Sequence, residues 1–151
     1  MVKREREIIN VLLVEDNPAD VRLMKEALME AQIPYNLYAV NDGQSALDFL
    51  RKAGLYAEAQ RPDLILLDLN IPKVHGLEVL REIKYDSELL NIPVIVLTSS
   101  EAQQDIDASY GSRANSYVTK PVELEEYFST MARMNEFWCD AVALPGNVAT
   151  S

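Results

Sequence analysis

Five short apolar runs divide the chain, and between them apolar residues return every three or four positions. The first run, Ile8-Ile9-Asn10-Val11-Leu12-Leu13-Val14, is rich in β-branched residues and has the length of a strand. A looser alternation from Tyr35 to Val40 predicts a second, more exposed strand. Leu64-Ile65-Leu66-Leu67 and Val94-Ile95-Val96-Leu97 are continuously apolar, as in strands buried on both faces of a parallel sheet. Ser116-Tyr117-Val118-Thr119 makes a short fifth strand.

The intervening segments carry the helical period. Asn17 is a good N-cap and Pro18 suits a first helical turn. Val21, Met24, Ala27, Leu28 and Ala31 then predict a helix reaching Gln32, which Ile33-Pro34 breaks. After the turn Asn41-Asp42-Gly43, the face Ala46, Leu47, Leu50, Ala53 predicts a second helix closed by Gly54. Leu55 to Arg61 shows no period. Leu77, Leu80, Ile83 and Lys84 mark a third helix. A weakly apolar fourth, over 101–110, offers only Ala102, Ile106 and Tyr110 as inner positions. Leu124, Phe128, Met131 and Trp138 stripe the fifth. Strands alternating with helices, without internal repeats, predict an α/β fold. Right-handed crossovers make a three-layer, doubly wound parallel sheet the simplest arrangement.

At 151 residues the chain suits one domain with a sizeable core. Residues 1–7 form a charged lead-in, 8–138 carry the elements, and 139–151 are a nearly uncharged extension in which no output domain is expected. The uncharged runs fall short of a membrane span and no signal peptide opens the chain. A single cysteine, Cys139, read as a partly buried small hydrophobe, allows no intramolecular disulfide, so a reducing cytoplasm is expected. The net charge of −10, without any basic run or helix-turn-helix pattern, disfavours direct nucleic-acid binding.

The predicted strand ends carry the chemistry. Strands one, three, four and five run out at Glu15-Asp16, Asp68, Thr98 and Lys120. In an open α/β sheet these ends share one edge, where ligands bind. Clustered carboxylates repel unless a cation or a proton intervenes, and oxygen ligands without a second His or any Cys suit Mg²⁺ or Mn²⁺. A carboxylate beside such an ion can act as nucleophile towards a phosphoryl group. Lys120 and the Thr98 hydroxyl could then stabilise charge on the equatorial oxygens. His75, the only histidine, is expected in an exposed loop, since one imidazole makes no His-rich metal site.

In this arrangement the chain strongly resembles the receiver domain of two-component response regulators, over roughly residues 8 to 138. The matching features are Glu15-Asp16, Asp68 followed by Asn70, Pro72 and Gly76, Thr98-Ser99, and Lys120-Pro121. The resemblance implies a flavodoxin-like sheet in the order 2-1-3-4-5. It implies Asp68 as phospho-acceptor, with Asp16 and Asp68 binding Mg²⁺ or Mn²⁺ directly, Glu15 through water, and Asn70 through its backbone carbonyl. It further implies Thr98 and Tyr117 as the switch pair, Lys120 on a phosphoryl oxygen, and a cis bond between Lys120 and Pro121.

Glu15-Asp16-Asn17-Pro18-Ala19-Asp20, the long loop before Arg61-Pro62-Asp63, and Phe137-Trp138 are similar to single-domain regulators of cyanobacterial phytochromes. This second resemblance implies a light-regulated sensor histidine kinase, a phytochrome, as phosphodonor. It also implies a homodimer on the helix-four to helix-five face with the C-terminal extension. Adjacent Phe137 and Trp138 cannot both point inward, so one of them is expected in a dimer contact or against the tail. With no output domain, the signal is expected to leave by contact with a downstream protein that the sequence does not identify.

Three other functions fit these residues less well. A haloacid-dehalogenase-type phosphatase needs a second Asp two positions after its nucleophile; Asn70 stands there and cannot deliver a proton. A flavodoxin needs a Ser/Thr/Gly-rich phosphate loop, where this chain has Glu15-Asp16. A scaffold of receiver fold that works without phosphate leaves the complete set of site residues unexplained.

Overall fold

A computed structural model describes residues 8–30, 34–141 and 145, without the side chains of 139–141. The charged lead-in, the helix break at Ile33, the Cys139 side chain and most of the C-terminal extension lie outside the described residues. In chain order the elements are β1 (Ile9–Val14), α1 (Pro18–Glu30), β2 (Tyr35–Val40), α2 (Gly43–Leu50), β3 (Leu64–Leu67), α3 (Gly76–Tyr85), β4 (Val94–Thr98), α4 (Gln103–Gly111), β5 (Ser116–Thr119) and α5 (Leu124–Asn135). All pairings are parallel, in one sheet ordered β2-β1-β3-β4-β5, as the receiver resemblance implies.

Strand side chains alternate between two cores. Leu12, Val14, Ile65, Leu67, Val94 and Val96 face α2 and α3, where Leu47, Phe49, Leu80 and Ile83 are buried. Val11, Leu13, Leu64, Leu66, Ile95 and Leu97 face α1 and α5, against Met24, Leu28 and Met131. Both faces of the central strands are therefore covered, which explains their unbroken apolar runs. The inner face expected for α4 is not found: Ala102 precedes the helix and is exposed, Tyr110 is 50% exposed, and Ile106 is half-buried. Ser109 is the one residue of α4 that is buried, because so thin an apolar pattern does not fix which face turns inward.

Register sets the functional edge. Val14 pairs with Leu67, so Glu15 and Asp68 leave the sheet side by side. The Asp68 N–H donates to the Val14 carbonyl at 3.0 Å, and the Glu15 N–H to that of Val40 at 2.9 Å. Thr98 pairs with Thr119, and the Lys120 N–H continues the ladder to the Thr98 carbonyl at 2.7 Å.

Three local expectations need correction. α2 stops at Leu50; Lys52, at φ 53°, takes the left-handed position that ends it, so Ala53 lies outside the helix and is exposed. Gly54, at φ 56°, instead opens a short 3₁₀ turn, Gly54–Tyr56, in the connection that showed no period. On α5 the buried stripe is Tyr127, Met131, Met134 and Asn135, with Phe128 and Trp138 packed at its margin. Leu124 stands at the helix's first position, off that stripe, and is 66% exposed.

Candidate functional site

The Lys120 ammonium lies at the centre of the site. Its Nζ donates to Asp68 Oδ2 at 2.9 Å, to Asp20 Oδ2 at 2.9 Å and to Glu15 Oε1. Burial works against this charge, but hydrogen bonds to Glu15, Asp20 and Asp68 outweigh it and hold the lysine pKa above its ordinary value. Asp68 is 7% exposed. Its Oδ1 accepts the Asn70 N–H at 3.0 Å, an Asx-type closure of the loop after β3. Burial pushes its carboxyl pKa up; the hydrogen bonds with Glu15, Lys120 and the Asn70 N–H prevail and keep it low. The nucleophile candidate is therefore ionised.

Glu15 behaves in the opposite way. At 3% exposure, burial first and Asp68 second push its pKa up to about 8. Its Oε2 is buried and meets no hydrogen-bond partner among the described residues. Glu15, exposed Asp16 and Asp68 each offer one oxygen within 4.8 Å of the others. A hard divalent cation relieves both the repulsion and the orphaned oxygen, so the donor set fits such an ion.

A cavity of about 320 Å³ opens over these groups, walled by Asn17, Asp20, Ser99, Pro121 and Tyr127 among others. The Asn17 side chain caps α1, accepting the Ala19 N–H at 2.9 Å, which aims the first turn and Asp20 at the site. Gly76 matters through close approach: a Cβ there would lie 2.5 Å from the Asp68 carbonyl oxygen.

Thr98 is fully buried and does not line the cavity; its Oγ1 accepts the Ser100 N–H at 3.4 Å. Tyr117 is half-buried, and its hydroxyl donates to the Ser100 carbonyl at 2.9 Å. Burial pushes the Tyr117 pKa up. Both switch candidates thus meet at Ser100, whose own hydroxyl donates to Asp105 Oδ2 on α4 at 2.6 Å. The cis bond expected at Lys120–Pro121 is absent: no cis peptide occurs among the described residues. Trans is the intrinsic preference of an X–Pro bond, and Lys120 reaches all three carboxylates with it.

His75 is exposed as expected, and its Nδ1 accepts the Leu77 N–H at 3.2 Å to cap α3. Phe137 and Trp138 lie on a π-helical continuation of α5, rings perpendicular and 5.7 Å apart. Trp138 packs on the α1–α5 core and Phe137 is 57% exposed. Asp20 and Tyr127 were missed as site residues. Asp20 lies four positions after Asp16, one helical turn on, a signal available in the sequence; Tyr127 gave none beyond its aromatic ring.

The response regulator receiver domain model matches residues 11–132. The chain belongs to that family. As a receiver it is 45% identical over 135 residues to response regulator Rcp1 of Synechocystis, covering 89% of this chain and 92% of that one. The crystal structure of the Mn²⁺-bound form of Rcp1 superposes with a TM-score of 0.89 at 44% identity, covering 91% of this chain and 99% of the other. The phosphorylated cyanobacterial phytochrome response regulator RcpA gives a TM-score of 0.90 at 46% identity, with 93% and 100% covered. Together with the acidic trio, the family supports divalent-metal binding at this receiver's strand edge.

Proposed function

We propose that this receiver accepts a phosphoryl group on Asp68 from a sensor histidine kinase and signals by a change of conformation and interface. The observation that carries this reading is the ionised Asp68 carboxylate held 2.9 Å from the Lys120 ammonium at the sheet's carboxyl edge. An Asp68 oxygen would attack phosphorus as the P–N bond to the donor imidazole breaks, the bonding pair leaving with nitrogen. Lys120 would turn a donor to a phosphoryl oxygen. Mg²⁺, or Mn²⁺, would be held by Asp16 and Asp68, by the Asn70 carbonyl, and by Glu15 through water; when bound it supplies neutralising charge at the phosphoryl oxygens.

Thr98 and Tyr117 would relay the added charge through the Ser100 loop to α4, an element with little buried apolar surface to resist a shift. We assign no activity beyond self-phosphorylation and self-dephosphorylation. The likeness to RcpA, named as a phytochrome response regulator, supports a phytochrome as phosphodonor. Exposed Phe137 supports a homodimer contact beside α5. No helix among the described residues is long and apolar enough to cross a membrane.

Intact mass after incubation with acetyl phosphate and Mg²⁺ tests the reading. One phosphoryl adduct on wild type and none on Asp68→Asn is expected. An unmodified wild type would favour a receiver-fold scaffold that works without phosphate.

A further inference from the structure

The Lys120 ammonium has three N–H donors, and they meet three carboxylates: Glu15, Asp20 and Asp68. Two of those acceptors belong to the trio that can close on a divalent cation; Asp20 does not. Asp20 sits in the first turn of α1, its N–H turned to the Asn17 side chain at 3.4 Å, and its Oδ2 lies 2.9 Å from Nζ. Side-chain exposure in this pair is only 9% for Lys120 and 20% for Asp20, so water competes weakly for either charge.

A cation drawn to Glu15 and Asp68 competes with the ammonium for the charge of both carboxylates, and a phosphoryl group on Asp68 changes that acceptor in turn. A long lysine released in this way regains rotamer freedom that it must lose again to grip a phosphoryl oxygen. Asp20 is the one acceptor that neither event engages. We propose that Asp20 is a positioning residue of the phosphoryl site, holding the Lys120 ammonium beside Asp68 while Glu15 and Asp68 are engaged elsewhere. The proposal rests on Asp68 being the phospho-acceptor.

Asp20→Ala and Asp20→Asn separate a held donor from a mere negative charge, because the amide keeps an oxygen acceptor and loses the charge. Beryllofluoride binding with Mg²⁺, followed by ¹⁹F NMR, is expected to weaken about tenfold in D20A, the scale of one charge-assisted hydrogen bond. D20N is expected to recover most of that loss. In the metal-free proteins, the ¹⁵Nζ signal of Lys120 is expected to exchange faster with water in D20A than in wild type. Thermal melts check folding, and Asp20→Ser, too short to reach Nζ, replaces D20A if that variant does not fold. Wild-type binding in D20A overturns the proposal, as does D20N binding no better than D20A. A wild type that takes no beryllofluoride overturns the phospho-acceptor reading as well, so the two failures are distinguishable.

Discussion

Lys120 and Asp68 stand 52 positions apart in the chain, yet Nζ and Oδ2 meet at 2.9 Å. Nothing local brings them together. β1 seats Glu15 beside Asp68 through the Val14–Leu67 pairing, and β4 holds the backbone of Lys120 through the Thr98 carbonyl. The site is thus a product of sheet register. Thr98 ends β4, Tyr117 lies on β5, and Lys120 directly follows β5, so the switch candidates and the ammonium share one pair of strands.

Replacing Lys120 tests how far the ammonium holds the resting site together. Lys120→Met leaves Glu15, Asp20 and Asp68 facing one another without their shared cation. Breaking a mostly buried pair of this kind costs about 3 kcal/mol. Urea denaturation in EDTA should show a loss of that order, and Mg²⁺ should restore part of it by supplying charge to the same carboxylates. An unchanged midpoint would mean that the three contacts contribute nothing net.

Glu15 makes metal-free stability depend on pH. Its pKa lies at about 8 in the fold against an ordinary 4.5, so the fold favours the neutral carboxyl. Its stabilising contribution is fully present below pH 4.5 and is lost as pH rises through about 8. The slope is at most about 1.4 kcal/mol per pH unit. Asp68, held below its ordinary 3.8, acts in the other sense and only in acid below that value, so the two windows do not overlap. Denaturation from pH 5 to 8 in EDTA should show falling stability in wild type and a flatter profile in Glu15→Gln, which mimics the neutral acid. Parallel profiles would refute this assignment.

Strand positions were legible because the central strands are buried on both faces, and Leu64–Leu67 or Val94–Leu97 can then be little but apolar. The residues at their ends were legible for the same reason, since a carboxylate or lysine there interrupts an otherwise unbroken pattern. What escaped depends on contacts across the fold. Asp20 joins the site through the first turn of α1, which Asn17 caps and which meets Lys120 100 positions on. Lys84 stands on the inner face of α3, where burial opposes a charge. Its Nζ donates to the carbonyls of Leu90 and Ile92 at 3.1 and 2.9 Å, partners supplied by the loop before β4. The Lys120–Pro121 bond was expected cis from family likeness, and nothing in the local sequence distinguishes the two isomers.

Gly76 should tolerate no side chain. Its backbone is not in the left-handed region, so the objection is contact and not strain. An alanine Cβ would sit 2.5 Å from both the Asp68 carbonyl oxygen and the Leu69 Cα, which are backbone atoms with little freedom to yield. Gly76→Ala should therefore lose about 1–3 kcal/mol by overpacking and displace the loop that carries Asp68. A lower melting temperature with weakened beryllofluoride binding is the expected pair of results. Wild-type values for both would show that the loop after β3 adapts freely.

Asn135 offers the opposite case, a native residue whose replacement should strengthen the fold. It lies on α5 and is buried, and among the described residues its Nδ2 finds only the Met24 sulfur of α1, at 3.5 Å. Its Oδ1 is buried and meets no partner among the described residues. A thioether is a weak acceptor, so both ends of the amide have given up water for little in return. Leucine has nearly the same shape, carries no polar atom to desolvate, and would meet Met24, part of the apolar core between α1 and α5. Asn135→Leu should raise stability by about 1 kcal/mol, the lower end of what an unsatisfied buried group costs. Thermal melting decides it. A fall would mean that the amide has a partner in solution, and then Asn135→Asp, with an acceptor at both positions, should fall further still.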